Sequence, residues 1–138
     1  MELRIEKDTL VRDIQREFNA FYPCLKIEFF ENPHPENKPS PKAKKIHPDS
    51  AIAMLTRFSE SGRINMDSKR TVADFENDFW DTFGISGQVF RKSGNLWIET
   101  TLTDNWTLDK QNSEGESFNL PASKSLEQRI EDSFTDPD

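Results

Sequence analysis

Apolar and polar residues alternate at Leu3 and Ile5, which stand between Glu2, Arg4 and Glu6. They alternate again at Ile64 and Met66, between Arg63, Asn65 and Asp67. A period of two marks a strand with one buried face. After each strand the period lengthens to three and four. Val11, Ile14, Phe18 and Phe21 or Tyr22 carry it first, then Val72, Phe75, Phe79 and Phe83. That spacing predicts two amphipathic helices, each with a single apolar stripe. Thr9 (or Asp8) and Arg70-Thr71 stand where the helices begin, and Asp13 and Asp74 put negative charge near the positive end of each dipole. Pro23 and Gly84 end them, one unable to continue the hydrogen-bond ladder and the other suited to a left-handed cap. Cys24 to Phe29 and Ile85 to Phe90 then return as strands.

Residues 1–29 and 62–90 overlay at a constant offset of 61, pairing Leu3 with Ile64, Val11 with Val72, Phe18 with Phe79, Tyr22 with Phe83 and Phe29 with Phe90. Two tandem βαβ units predict an α+β fold, a ferredoxin-like sandwich of order β-α-β-β-α-β. Phe18 and Phe79 are expected at the centre of its core. The second unit continues through a Ser93-Gly94 turn into Asn95–Thr100, which adds a C-terminal hairpin strand. A ubiquitin-like grasp is the alternative topology for the same element order.

The apolar pattern is confined to about 1–30 and 62–102, which sets the domain at 1–110. Five prolines (33, 35, 39, 41 and 48) and four lysines (38, 42, 44 and 45) mark 32–48 as a long loop. Pro48 to Phe58 follows as a short helix, with Ile52, Leu55 and Phe58 toward the core. Of the net charge of −7, residues 104–138 carry −6, from nine acidic and three basic side chains. The body is therefore near neutral, and 111–138 is expected to be an acidic, partly disordered extension, with a short helix over Ser125–Phe134. No apolar run is long enough to span a membrane, and no leader peptide is evident. The single cysteine, Cys24, reads as a structural thiol in a reducing, cytoplasmic compartment.

Catalytic and metal motifs are lacking: there is no paired-cysteine or HExxH spacing, and no calcium or phosphate loop. His34 and His47 both flank prolines in the long loop, so neither has a rigid platform. The chain is expected to have no enzymatic activity, cofactor or metal. The densest stretch is Val89–Asn112, where alternation separates Leu96 and Ile98 from Trp97 and Glu99. Arg91, Lys92, Trp97, Thr101, Asp104, Asn105 and Trp106 form the candidate partner-binding set, because Trp and Arg dominate interface hot spots. In the competing structural reading, Trp97 is covered by Trp106 and Leu108 and closes a second small core.

The stretch RKSGNLWIETTLTDNWTL, with TVADFENDFWDTFG before it, resembles a family of small uncharacterised bacterial proteins. The resemblance covers both βαβ units and the hairpin, implies a standalone cytoplasmic domain, and carries no functional residues. Gly87–Arg91 is also similar to the phosphate loop of acylphosphatases, but stands in a late strand rather than before the first helix, so no role is carried over. The expected function is a non-enzymatic protein-interaction or regulatory domain. The alternative is RNA binding through sheet aromatics and the lysine-rich loop.

Overall fold

A computed structural model describes residues 1–31, 45–55 and 61–118. The fold is α+β, with three helices and two small antiparallel sheets among these residues. Strand β1 (Glu2–Ile5) leads through helix α1 (Val11–Phe21) to β2 (Leu25–Phe30). The second half repeats this order with β3 (Gly62–Asn65), α2 (Val72–Phe83) and β4 (Ser86–Ser93). A two-residue turn follows, with Gly94 at φ 63°, then β5 (Leu96–Glu99), a 3-10 turn at Thr101–Thr103, and α3 (Leu108–Phe118).

The strands pair like with like. β1 lies on β3 with Leu3 opposite Ile64, and β2 lies on β4 with Ile27 opposite Val89; β5 extends that second sheet. A ferredoxin-like sandwich would hold four strands in one sheet, whereas β2 here takes β4 as its neighbour and the strands form two sheets. The offset of 61 also does not run to the end of the unit. Leu3 stands opposite Ile64, but in the second sheet Phe29 stands opposite Gly87 and Phe90 opposite Lys26, so the overlaid Phe29 and Phe90 fall on opposite faces. A one-residue slip turns a strand's side chains to the opposite face. Phe29 is accordingly buried in the core, while Phe90 is half-buried on the outer face.

The helix stripes meet inside one core. The Phe18 ring stacks on Phe75 at 5.0 Å, and Phe79 packs edge-on against both Phe75 and Phe29. Phe18 and Phe79 are both fully buried. Gly84 closes α2 at φ 72°, its N–H donating to the Trp80 carbonyl.

Both helix starts are held by main chain from a distant segment. Val11 and Arg12 donate their N–H groups to the Ser50 and Pro48 carbonyls; Val72 and Ala73 donate theirs to Trp106 and Asp104. On the other side of each segment, Ile52 donates to Thr9 and Ala53 to Lys7, as Leu108 donates to Arg70 and Asp109 to Ser68. Ile52 and Leu108 are the buried anchors of these two latches. The latch corrects the helix expected over 48–58. Its backbone groups are engaged with α1, so only a 3-10 turn forms at Ile52–Met54, with Leu55 packed against the core. Phe58 lies outside the described residues, as do most of the proline-rich loop and the segment 119–138.

Helix α3 runs across residue 110, the limit expected for the domain. Its first residue, Leu108, joins the core. Gly115 sits so close to Cys24 that an added Cβ would stand 2.6 Å from the Cys24 Cβ. Asn112 Oδ1 accepts the Cys24 N–H at 2.9 Å, and Gln111 is fully buried.

Candidate partner-binding face

Strand alternation divides the seven candidate residues between two places. On the outer face of the β2–β4–β5 sheet, Lys92 stands directly opposite Trp97. Lys26 from β2 reaches over, its Nζ 5.2 Å from the Trp97 ring centroid and 5.4 Å from that of Phe90. Both contacts are within cation–π range. Glu28 lies 3.4 Å from Lys26 and 3.6 Å from Lys45, which anchors the ammonium groups. Beside this cluster runs an open groove of about 350 Å³ between α1 and β2. Arg12 and Arg16 line it along with Lys26 and Trp97, and Arg12 is paired with Asp49.

The other candidates serve the second latch. Arg91 faces the opposite side of the sheet, where its Nη1 donates to Gln111 Oε1 at 2.8 Å. Trp106 lies between Arg91 and Lys110, at 5.7 and 4.5 Å from its ring centroid, so it does not cover Trp97. Asp104 and Trp106 present their carbonyls to α2, and Thr101 is buried with its hydroxyl 3.4 Å from Gln88 Oε1. Asn105 is exposed at the latch tip.

The two edges of this sheet differ. Along β2 the outward carbonyls are occupied: Asn19 Nδ2 donates to Leu25 O at 2.8 Å, Gln15 Nε2 to Ile27 O at 2.8 Å, and the Ile46 N–H to Phe29 O at 2.7 Å. Such side-chain cover is one way to blunt an edge strand. Along β5, Ile98 and Leu96 pair with Arg91 and Ser93, and the Thr100 N–H donates to Val89 O. Alternation therefore turns the main-chain groups of Trp97 and Glu99 away from β4. Leu96 is 68% exposed and Ile98 37%, and Leu102, just past the strand, is 84% exposed. This edge, open among the described residues, was missed in the sequence; the signal was a last strand, LWIE, with no proline or lysine to protect it.

No cluster of three or more potential metal ligands exists among the described residues, and no helix among them is long and apolar enough to cross a membrane. Burial and the nearby Glu116 carboxylate push the Cys24 thiol up, against the opposing pull of Lys92. A thiol held protonated is a poor nucleophile, which supports the structural reading of Cys24. His47 is exposed, and its Nδ1 accepts the Asp49 N–H.

No protein-family model, curated protein or solved structure matches this chain.

Proposed function

We propose that this chain is a small, non-enzymatic, cytoplasmic protein-interaction domain. Its docking surface is the outer face and free edge of the β4–β5 hairpin, centred on Lys92 and Trp97 with Lys26 beside them. The observation that carries the reading is the contrast between a β2 edge whose outward carbonyls are taken and a β5 edge, open among the described residues, that is flanked by Leu96, Ile98 and Trp97. Open edges take up an extended partner segment by main-chain pairing, with neighbouring side chains providing selectivity. The matched hydrogen bonds at the two helix starts support a duplicated unit behind this surface, strand–helix–strand–latch. Within it Asp104, Trp106 and Thr101 hold the scaffold, and Arg91 braces α3.

The test is capture of partners from lysate by the full chain, with and without nuclease. Glu99→Pro removes an outward N–H and leaves the β4–β5 ladder its own bonds. Trp97→Ala removes the aromatic anchor. Both variants are expected to lose the captured protein while far-UV circular dichroism stays unchanged. Capture that survives both substitutions would overturn the reading.

RNA binding is the second reading, favoured by one observation: Lys26, Phe90 and Trp97 share the outer sheet face beside Arg12 and Arg16. Bases stack on such platforms, and binding would then fall steeply with salt and vanish on nuclease treatment.

A further inference from the structure

From the register of β5 we infer that the partner at the open edge is a second copy of this chain, joined β5 to β5 in antiparallel fashion about a two-fold axis through Ile98. The inference rests on the reading of β5 as the docking edge. With Trp97 and Glu99 turned outward, the one symmetric register that satisfies both sets Trp97 against the partner's Glu99. Each such pair exchanges both of its main-chain hydrogen bonds. Ile98 then meets the partner's Ile98 as a non-hydrogen-bonded pair, the closer kind, with Cα atoms about 4.5 Å apart.

The side chains fit this register on both faces. On one face, the exposed Ile98 pairs with itself, with Leu96 two residues along on each strand. On the other, the partner's Glu99 carboxylate arrives beside Trp97, next to Lys92 and Lys26. Opposite charges and aromatic contacts across strands both stabilise pairing. The partner copy thus contributes an acid to the cationic cluster, and the reciprocal contact follows by symmetry. Shifting the register by two residues would set Trp97 against Trp97 or Glu99 against Glu99, with like charges opposed in the second case. A two-fold contact of this kind closes on itself. The other edge of each sheet is capped by Gln15, Asn19 and Ile46, so a pair forms without growing into a fibre.

The test uses the full chain in a Cys24→Ser background, which leaves no native thiol. Ile98→Cys is expected to form an interchain disulfide on mild oxidation, because a Cα separation near 4.5 Å lies within the roughly 4.4–6.8 Å that a disulfide spans. Glu99→Cys, displaced from the axis, is expected to remain reduced. With the native cysteine present, sedimentation should give a species of twice 16.0 kDa that persists at high salt. Ile98→Lys should weaken it about tenfold or more by opposing two like charges. A monomer at every concentration tested, or a disulfide through Glu99→Cys in place of Ile98→Cys, would overturn the inference. Loss of lysate capture in Glu99→Pro when the wild-type chain is itself monomeric would overturn it too, while leaving the docking reading intact. Retained capture in Glu99→Pro would remove that reading itself.

Discussion

Gln15 and Glu76 occupy the same position in the two helices, and they reach Ile27 and Val89, which stand opposite each other in the β2–β4 ladder. Gln15 donates to the carbonyl of Ile27, whereas Glu76 accepts the N–H of Val89 at 2.7 Å. One amide oxygen and one amide nitrogen, at matched residues of neighbouring strands, are satisfied by opposite chemistry. The difference follows from what lies beyond each strand. Outside β4 stands β5, and Thr100 just past its end donates to Val89 O, which leaves the Val89 N–H to a buried carboxylate. Outside β2 the side chains of α1 take the place of a strand. The two halves therefore share a plan for the core and differ at the edge, which is where a partner would act.

Matched core positions should respond alike, and this is the largest expected effect. Phe18→Ala and Phe79→Ala each remove a fully buried ring from one continuous aromatic cluster. Each should cost about 3–5 kcal/mol in urea denaturation. A cost below about 1 kcal/mol at either position would break the equivalence of the two halves in the core.

The paired edge positions should respond unequally. Glu76→Ala strands the buried Val89 N–H and should cost about 1–3 kcal/mol, the penalty of an unsatisfied buried donor. Gln15→Ala exposes the Ile27 carbonyl at an edge that water can reach, and about 1 kcal/mol or less is expected. Its distinctive signature is a second open edge, so higher-order association should appear by light scattering. Equal costs and an unchanged association state would mean that the two edges are not built differently after all.

How much of this was legible in the sequence depends on which atoms carry the information. Both strand–helix–strand units, their stripes, the stop at Gly84 and the turn at Gly94 are written in side-chain pattern, and they stand where the pattern puts them. The latches at 47–53 and 103–109 are main-chain contacts between remote segments, and side-chain periodicity carries no trace of them. Asp104 and Trp106 consequently read as a recognition surface, though their carbonyls hold the start of α2. Helix α3 was equally hidden, since it docks through Gly115, Asn112 and Gln111 rather than an apolar stripe. The gapless overlay failed at the second strands because the face each residue takes is set by the β2–β4 register, which a one-dimensional overlay does not carry. That register sends Phe90 to the outer face and Phe29 to the core. On that outer face, Trp97 and Lys92 were visible in advance, but Lys26 was not, because it comes from the other unit.

The narrowest test concerns a single hydroxyl. Tyr22 and Phe83 are matched in the overlay, and both are buried. Only Tyr22 carries a polar atom, and it donates to the Met66 carbonyl at 2.7 Å. Burial, with the nearby carboxylates of Asp67 and Asp109, pushes its pKa up to about 12 from an ordinary value of 10.0. The neutral phenol is thus favoured in the folded chain and the phenolate in the unfolded one. Its contribution to stability is fully present below about pH 10 and is lost as the pH rises toward about 12. Tyr22→Phe makes the two halves alike, and should cost about 1 kcal/mol at neutral pH, the net value of a hydrogen bond. The gap between wild type and variant, followed by thermal melts, should then narrow across the window from pH 10 to 12. A gap constant over that window would mean that the Tyr22 hydroxyl reaches water, and that the contact between α1 and the end of β3 is looser than its counterpart around Phe83.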